Sequence, residues 1–305
     1  MADGKPFLSV YGHVTIDQIV SIERFPEMNE SVDVISKNTT LGGTGTNIAT
    51  AAATLGVPTA ICAFVGDDFP AKYESRMRDS GLIMDEMIKV GEYETSQALV
   101  INDLEMRQKV IFYQGPQGSA SKLNNLLTKN ASSSRYVHFC TGDPAYYISV
   151  MENISGSNAM VSLDPAQEIY KMWNTEKIKN ALEFSDALFC NNYEAKVIER
   201  HLGIKSVLDI EKDLVVCTEG EDGSVAKIGG EIIRIPVIKG KAVKDATGAG
   251  DAYRAGFYCG RYKGYDVRES LVLASATSSF VVEEVGALTN LPTWDSVLER
   301  ADRYL

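Results

Sequence analysis

Gly248, Ala249 and Gly250 stand in a row ahead of Asp251, within the stretch Asp245–Phe257 that reads D-A-T-G-A-G-D-A-Y-R-A-G-F. A run compatible with a helix, Ala252 to Arg261, follows directly. Small residues opening a helix leave backbone N–H groups aimed at one spot, where the helix dipole also favours negative charge. That arrangement is an anion hole. A carboxylate beside it is a poor choice for simple anion binding. Asp251 makes chemical sense if it takes a proton from a substrate hydroxyl while the amides steady the charge on a transferring phosphoryl group. A Gly-rich turn with an acid in the first helical turn, favoured by helix electrostatics alone, accounts for the same residues.

Three other stretches carry candidate chemistry. Leu41-Gly42-Gly43-Thr44-Gly45-Thr46-Asn47 leads into an Ala-rich helix, Ile48 to Leu55. Paired glycines there serve either close approach of a ligand or tight packing of the helix on a sheet. Asn191-Asn192-Tyr193-Glu194 offers oxygen donors suited to a hydrated hard cation, and equally a capping box with Glu194 three residues past Asn191. Thr218-Glu219-Gly220-Glu221-Asp222-Gly223-Ser224 is a strand end and a glycine turn, which a hairpin alone also explains.

Taken together these stretches resemble the signatures of the ribokinase, or phosphofructokinase-B, family of carbohydrate kinases, from Val10 to about Trp294. The resemblance implies an α/β fold, a central mostly parallel sheet with helices on both faces and a small β lid. It implies ATP as phosphate donor and Mg²⁺ as the metal, with Asp251 the catalytic base and the Gly248, Ala249 and Gly250 amides the anion hole. By the same resemblance Asp17, Gly43 and Asn47 bind the acceptor's hydroxyls, Asp17 taking a vicinal diol. Asn191 and Glu194 match the family's N-x-x-E motif, with Glu194 near the metal, and Thr218, Gly220 and Gly223 lie where the family holds ATP. A monovalent cation such as K⁺ near Asp245 and Thr247 is left open, as is a homodimer through the lid. Ala246 and Tyr253 depart mildly from the family pattern.

Thr44 stands where related sugar-phosphate kinases often carry Lys, so neutral nucleosides fit better than phosphorylated sugars. Thr141-Gly142-Asp143-Pro144, Leu163-Asp164-Pro165-Ala166-Gln167 and Thr289–Trp294 most resemble archaeal nucleoside kinases of this family, which implies cytidine, guanosine and inosine as acceptors. Asp143, at a strand end, joins the candidate substrate contacts, and Phe112 either stacks on a base or is plain core. Gln167-Glu168 supplies no Arg where many relatives have one. Arg254, three residues past Asp251, is expected either to converge on the ATP phosphates in its place or to form a surface salt bridge. The alternatives are a sugar or sugar-phosphate kinase and a nucleotide-binding regulator without catalysis.

The 305 residues carry 30 Lys and Arg against 41 Asp and Glu, a net charge of −11, which discourages nucleic acid and anionic membrane as partners. The same field repels ATP, so phosphate must be held by local groups. The 5 cysteines show no C-x-x-C pair and read as reduced core residues of a cytoplasmic protein. No apolar run reaches the ~18 residues of a membrane span, and neither a G-x-x-x-x-G-K-[ST] loop nor a dinucleotide fingerprint is present.

The elements that must position these groups follow from pattern. Phe7 to Gly12 predicts a first buried strand, and strand and helix alternate from Arg135 onward. Ligands in such sheets bind beyond the carboxyl ends of the strands. The lid is expected from about 14–41 and 87–113, within one domain spanning 1–305. Gly66 to Phe69 is expected to cap a helix reaching Asp79, and the small face Ala274, Ser275, Ala276 and Ser278 to leave room for adenine.

Overall fold

The segment Thr59–Gly66, T-A-I-C-A-F-V-G, is apolar or small throughout, and all of it is buried, as a strand covered on both faces must be. The computed structural model describes residues 5–305 except 106. The first four residues of the expected domain and Met106 of the expected lid segment lie outside the described residues.

In chain order the strands are β1 (Leu8–Tyr11), β2 (Thr15–Ile22), β3 (Val34–Gly42), β4 (Thr59–Gly66), β5 (Ile83–Val90), β6 (Gln97–Asn102) and β7 (Gln108–Tyr113). Then follow β8 (Tyr136–Phe139), β9 (Met160–Leu163), β10 (Ala187–Asn191), β11 (Leu214–Thr218), β12 (Ser224–Ile228) and β13 (Glu231–Ile235). A nine-stranded sheet runs in the order β13-β12-β11-β10-β9-β8-β1-β4-β5, parallel from β11 to β5 and antiparallel at β12 and β13. The chain builds outward from β1 first towards β5 and then, from β8, towards β11. The order therefore reverses between β1 and β8. A crevice opens at the carboxyl ends of strands at such a point.

The helices are α1 (Thr44–Thr54), α2 (Ala71–Asp79), α3 (Lys129–Ser133), α4 (Pro144–Ile154), α5 (Thr175–Glu183), α6 (Asn192–Leu202), α7 (Ala249–Tyr262), α8 (Val267–Val281) and α9 (Trp294–Ala301). Alternate residues of each strand serve opposite faces. Ile61, Ala63 and Val65 pack with Ile48, Met77, Tyr258, Leu271 and Val297, placing α1, α2, α7, α8 and α9 on one side. Cys62 and Phe64 pack with Ala131, Tyr146, Ile178 and Ile198, placing α3 to α6 on the other. The fold is thus α/β with helices on both faces, as expected. None of the described helices is long and apolar enough to cross a membrane.

A four-stranded sheet, β3-β2-β6-β7, forms the lid. The expectation that 87–90 belongs to it is corrected, because those residues are the end of β5, paired parallel with β4 from Ala63↔Met87 to Gly66↔Val90. The β4-α2-β5 crossover returns the chain to the main sheet, as βα units do. Gly66 to Phe69 does not cap α2, whose N-cap is Pro70. Asp68 instead accepts from the amide and hydroxyl of Thr95, both at 2.7 Å. The small face of α8 is also reassigned. A Cβ on Gly256 of α7 would lie 2.9 Å from Ala274 Cα, and Ser275 and Ser278 donate to the carbonyls of Pro236 and Ala249. Those small residues let two helices touch rather than admit a ring.

Candidate active site

The ends of five neighbouring strands converge on one cleft of about 970 Å³: His13 after β1, Thr141 after β8, Asp164 after β9, Asn191 ending β10 and Thr218 ending β11. The lid supplies Asp17, Ile19, Val100 and Phe112 from above, and α1 and α7 supply their first turns. That volume is at the upper end for one small ligand and suits two substrates side by side.

Asp251 lines the cleft in the first turn of α7. Burial pushes its carboxyl up to about 6, with Asp164 adding to the rise, while Asn47 and Arg254 oppose it. Asn47 Nδ2 donates to Asp251 Oδ2 at 2.8 Å. A carboxylate so placed is ionised at neutral pH and still able to accept a proton. The turn before it is held open by Gly248, at φ 77°, where a Cβ would lie 2.2 Å from Ala287 Cβ. Gly250 lines the cleft too, but Ala249 does not, and its amide is already given to the Ala246 carbonyl at 3.1 Å. Among the described residues no partner meets the amides of Gly248, Gly250 and Asp251, so two of the three expected donors remain and the Asp251 amide joins them.

Asp17 lines the cleft under the lid. Burial raises its carboxyl above the usual range against a hydrogen bond from Thr15 Oγ1 at 2.5 Å. Gly42, on the neighbouring strand, leaves the room it needs: a Cβ there would lie 2.0 Å from Asp17 Oδ2. Gly43 caps α1 at φ 95°, with His13 O only 2.3 Å from where its Cβ would be. Gly45 is a packing glycine, its Cβ position 2.6 Å from the Gly12 carbonyl carbon. Close packing therefore accounts for Gly43 and Gly45, and Gly42 keeps space for Asp17. Phe112 meets the His13 ring edge-on at 5.2 Å and faces the cleft rather than the core. Burial lowers His13 to about 4, so the ring is neutral near pH 7.

On the far side, Asn191 and Glu194 do form a capping box for α6: Asn191 Oδ1 accepts from the Tyr193 and Glu194 amides, and Glu194 Oε2 accepts from the Asn191 amide at 2.8 Å. Both residues line the cleft as well, so capping aims them rather than removing them from it. Burial, then Asp164, raises Glu194 to about 7. Thr218 and Gly220 line the cleft, while Gly223 does not and serves the turn into β12 at φ 89°. Asp143 is not brought to the cleft either. It caps α4 through the Ala145 amide, and Oδ2 accepts from the Ser121 amide and hydroxyl.

Arg254 reaches the cleft, but neither as a free cation nor in a surface salt bridge. Its side chain is 6% exposed, with Nε donating to Asp164 Oδ2 at 2.7 Å and a terminal N–H to the Gly250 carbonyl at 3.3 Å. Burial works against both charges, yet each holds the other ionised: Arg254 is raised, and Asp164 is held below the usual carboxylate range with help from His138. Thr15 and Lys244 line the same cleft without having been singled out. The period of a strand could have revealed Thr15, two residues before Asp17 on one face. Lys244 directly precedes the D-A-T-G-A-G-D stretch.

Residues 5–294 match the pfkB family carbohydrate kinase. The chain is 34% identical over 299 residues to the nucleoside kinase of Methanocaldococcus jannaschii, covering 97% of each. It is 32% identical to the nucleoside kinase of Methanothermobacter thermautotrophicus, over 98% of this chain and 96% of that one. The crystal structure of the M. jannaschii enzyme, an archaeal member of the ribokinase family, superposes with a TM-score of 0.90 over 99% of this chain and 100% of that one.

Proposed function

The chain belongs to the pfkB family of carbohydrate kinases, phosphotransferases with an alcohol group as acceptor, and on that premise we propose that it moves the γ-phosphoryl group of ATP to the 5′-hydroxyl of nucleosides. Cytidine, guanosine and inosine are the expected acceptors. The observation that carries this reading is a single cleft holding Asp17 under the lid and Asp251 beside unpartnered amides.

Asp17 accepts two ribose hydroxyls, as a carboxylate with lone pairs to spare can, while Thr15 fixes its orientation. Gly43 lets the sugar approach the backbone, and Phe112 offers its ring to the base. The 5′-hydroxyl then lies against Asp251. As its oxygen forms the new bond to phosphorus and the bond to the ADP oxygen breaks, the proton passes to Asp251. The Gly250 and Asp251 amides face the charge on the transferring group. Asn47 keeps the carboxylate pointed and lowers its proton affinity until the hydroxyl arrives. Thr218 and Gly220 lie along the nucleotide's path.

Kinases of this family use ATP with a divalent metal, and Mg²⁺ is the one proposed here. The donor set fits it: Glu194 faces the cleft with one oxygen uncommitted, and Asp164 Oδ1 is buried without a partner. No group of three or more His, Cys, Asp or Glu side chains forms a metal cage among the described residues, and Mg²⁺ commonly keeps its waters. When bound it supplies neutralisation of phosphate charge. Beside Thr247, both Asp245 oxygens accept backbone amides and the carboxyl is held below its usual range, so that corner stays anionic, as K⁺ would need.

Five free, buried cysteines support a reducing, cytoplasmic setting. A homodimer would meet through the outer lid face, where Ile111 is 62% and Tyr113 45% exposed. The deciding experiment is ADP release from ATP and Mg²⁺ with cytidine, guanosine, inosine, adenosine, ribose and fructose 6-phosphate. Turnover on nucleosides supports the proposal, turnover on sugars alone moves the assignment to a sugar kinase, and no turnover with any acceptor overturns it.

A further inference from the structure

The cleft is acidic where it must hold the most highly charged substrate. Asp17, Asp103, Asp164, Glu194, Asp245 and Asp251 line it, against two cationic side chains, Arg254 and Lys244. Arg254 is held in place rather than free to travel to phosphate. Its Nε is committed to Asp164 and its NH1 to the Gly250 carbonyl, in a setting where breaking the pair would strand a buried charge. Lys244 is different in every respect that matters for exchange. Its backbone is fixed, the amide donating to Val282 O at 2.8 Å, so the side chain always starts from the same edge of the cleft. Its side chain is 53% exposed, and the ammonium rests on Glu284, whose side chain is 48% exposed, at 2.7 and 2.8 Å. A pair this exposed contributes only about 0–1 kcal/mol, and a phosphate oxygen in a shielded cleft is a stronger acceptor for the same ammonium.

We propose that Lys244 is the phosphate-binding cation of this site: it leaves Glu284 for the phosphates of the nucleotide when the donor enters, and returns when ADP leaves. The proposal rests on the kinase reading for the presence of a nucleotide in the cleft. It goes further in giving a surface ion pair a role in donor binding. Glu284 acts as a parking place that keeps the ammonium out of the acidic cleft while no phosphate is there. Because a lysine is a point charge on a flexible stem, it can follow the phosphate through transfer in a way the clamped Arg254 cannot.

The test is calorimetric titration of Mg²⁺ and ADP into the wild type, Lys244→Met, Lys244→Arg and Glu284→Gln, with cytidine titrated in parallel. Lys244→Met should weaken ADP binding by about tenfold or more, the worth of one charge-assisted hydrogen bond, and leave cytidine affinity within about twofold. Lys244→Arg should restore most of the loss. Glu284→Gln, which removes the competitor, should bind ADP at least as tightly as the wild type. The proposal is overturned if Lys244→Met binds ADP within about twofold of wild type, if it weakens cytidine equally, or if Glu284→Gln loses as much as Lys244→Met. The titration needs no acceptor. A Lys244-dependent ADP site in a protein that phosphorylates no nucleoside would sink the kinase reading alone, and a wild type that binds no ADP would sink this one with it.

Discussion

Asn47 and Asp251, 204 residues apart in the chain, are joined by a hydrogen bond of 2.8 Å from the side-chain amide to the carboxylate. The first turn of α1 and the first turn of α7 thus meet at the carboxylate proposed as the base. Asn47 had been read as a contact to the acceptor's hydroxyls. The geometry adds a second task, orienting the base.

Asp251→Asn should keep nucleoside affinity within a few fold and lower kcat by roughly 10²–10⁴, the usual worth of a general base. Steady-state turnover beside a nucleoside titration checks it. Full activity in the variant would remove Asp251 from the mechanism.

The same substitution should stabilise the protein in neutral and alkaline solution. The folded state raises the Asp251 carboxyl to about 6, so it favours the protonated form, and that contribution is complete below the unfolded value near 4 and lost as pH rises through about 6. Above pH 7 the ionised group is therefore destabilising, and removing its charge should gain on the order of 2–3 kcal/mol. Urea melts at pH 4 and pH 8 would show it, with the variant's advantage confined to the higher pH.

Activity should depend on pH with the opposite sense. The base must be ionised, so kcat/KM should climb with pH through about 6 and then level. Asn47→Leu removes a donor that favours the charged form, and should move that limb to higher pH. A profile unmoved by the substitution would show that Asn47 does not hold the base.

Gly42→Ala should raise the KM for nucleoside by at least about tenfold while changing the KM for ATP much less, because its Cβ would lie 2.0 Å from Asp17 Oδ2. Equal changes in both constants would point to a general distortion instead.

Arg254→Met should cost about 3–5 kcal/mol of stability, since it leaves Asp164 charged and buried. Adding Asp164→Leu should recover much of that loss in a chemical melt. Loss of ATP affinity without loss of stability would reverse the structural reading of this pair.

Most strand positions, the alternation of strand and helix and the glycine turn before Asp251 are legible because local pattern decides them. The short apolar run T-A-I-C-A-F-V-G between turn residues forms a strand buried on both sides, and G-A-G-D opens a helix. What the sequence hid were relations between distant segments. Whether 87–90 joins the lid or the main sheet depends on β4, a partner that its own composition does not name. Asp143 and Asp164 both follow parallel strands, yet Ser121 and the Ala145 amide claim the first while Arg254 claims the second. Arg254 itself fits a phosphate site or a surface salt bridge until Asp164 is seen beside it in the interior. In sequence Gly42 fits ligand approach or helix packing, and only the neighbouring strand shows that it is a space kept for a carboxylate.

β3 runs into α1 with only Gly43 between them, so the lid strand and the helix bearing Asn47 are one mechanical piece. A lid that lowered over an acceptor would pull on the first turn of that helix and on its hold on Asp251. The arrival of the nucleoside and the readiness of the proposed base would then be two ends of a single lever. In kinetic terms, the acid limb of kcat, measured with the acceptor bound, should be displaced from that of kcat/KM, which reports the open enzyme.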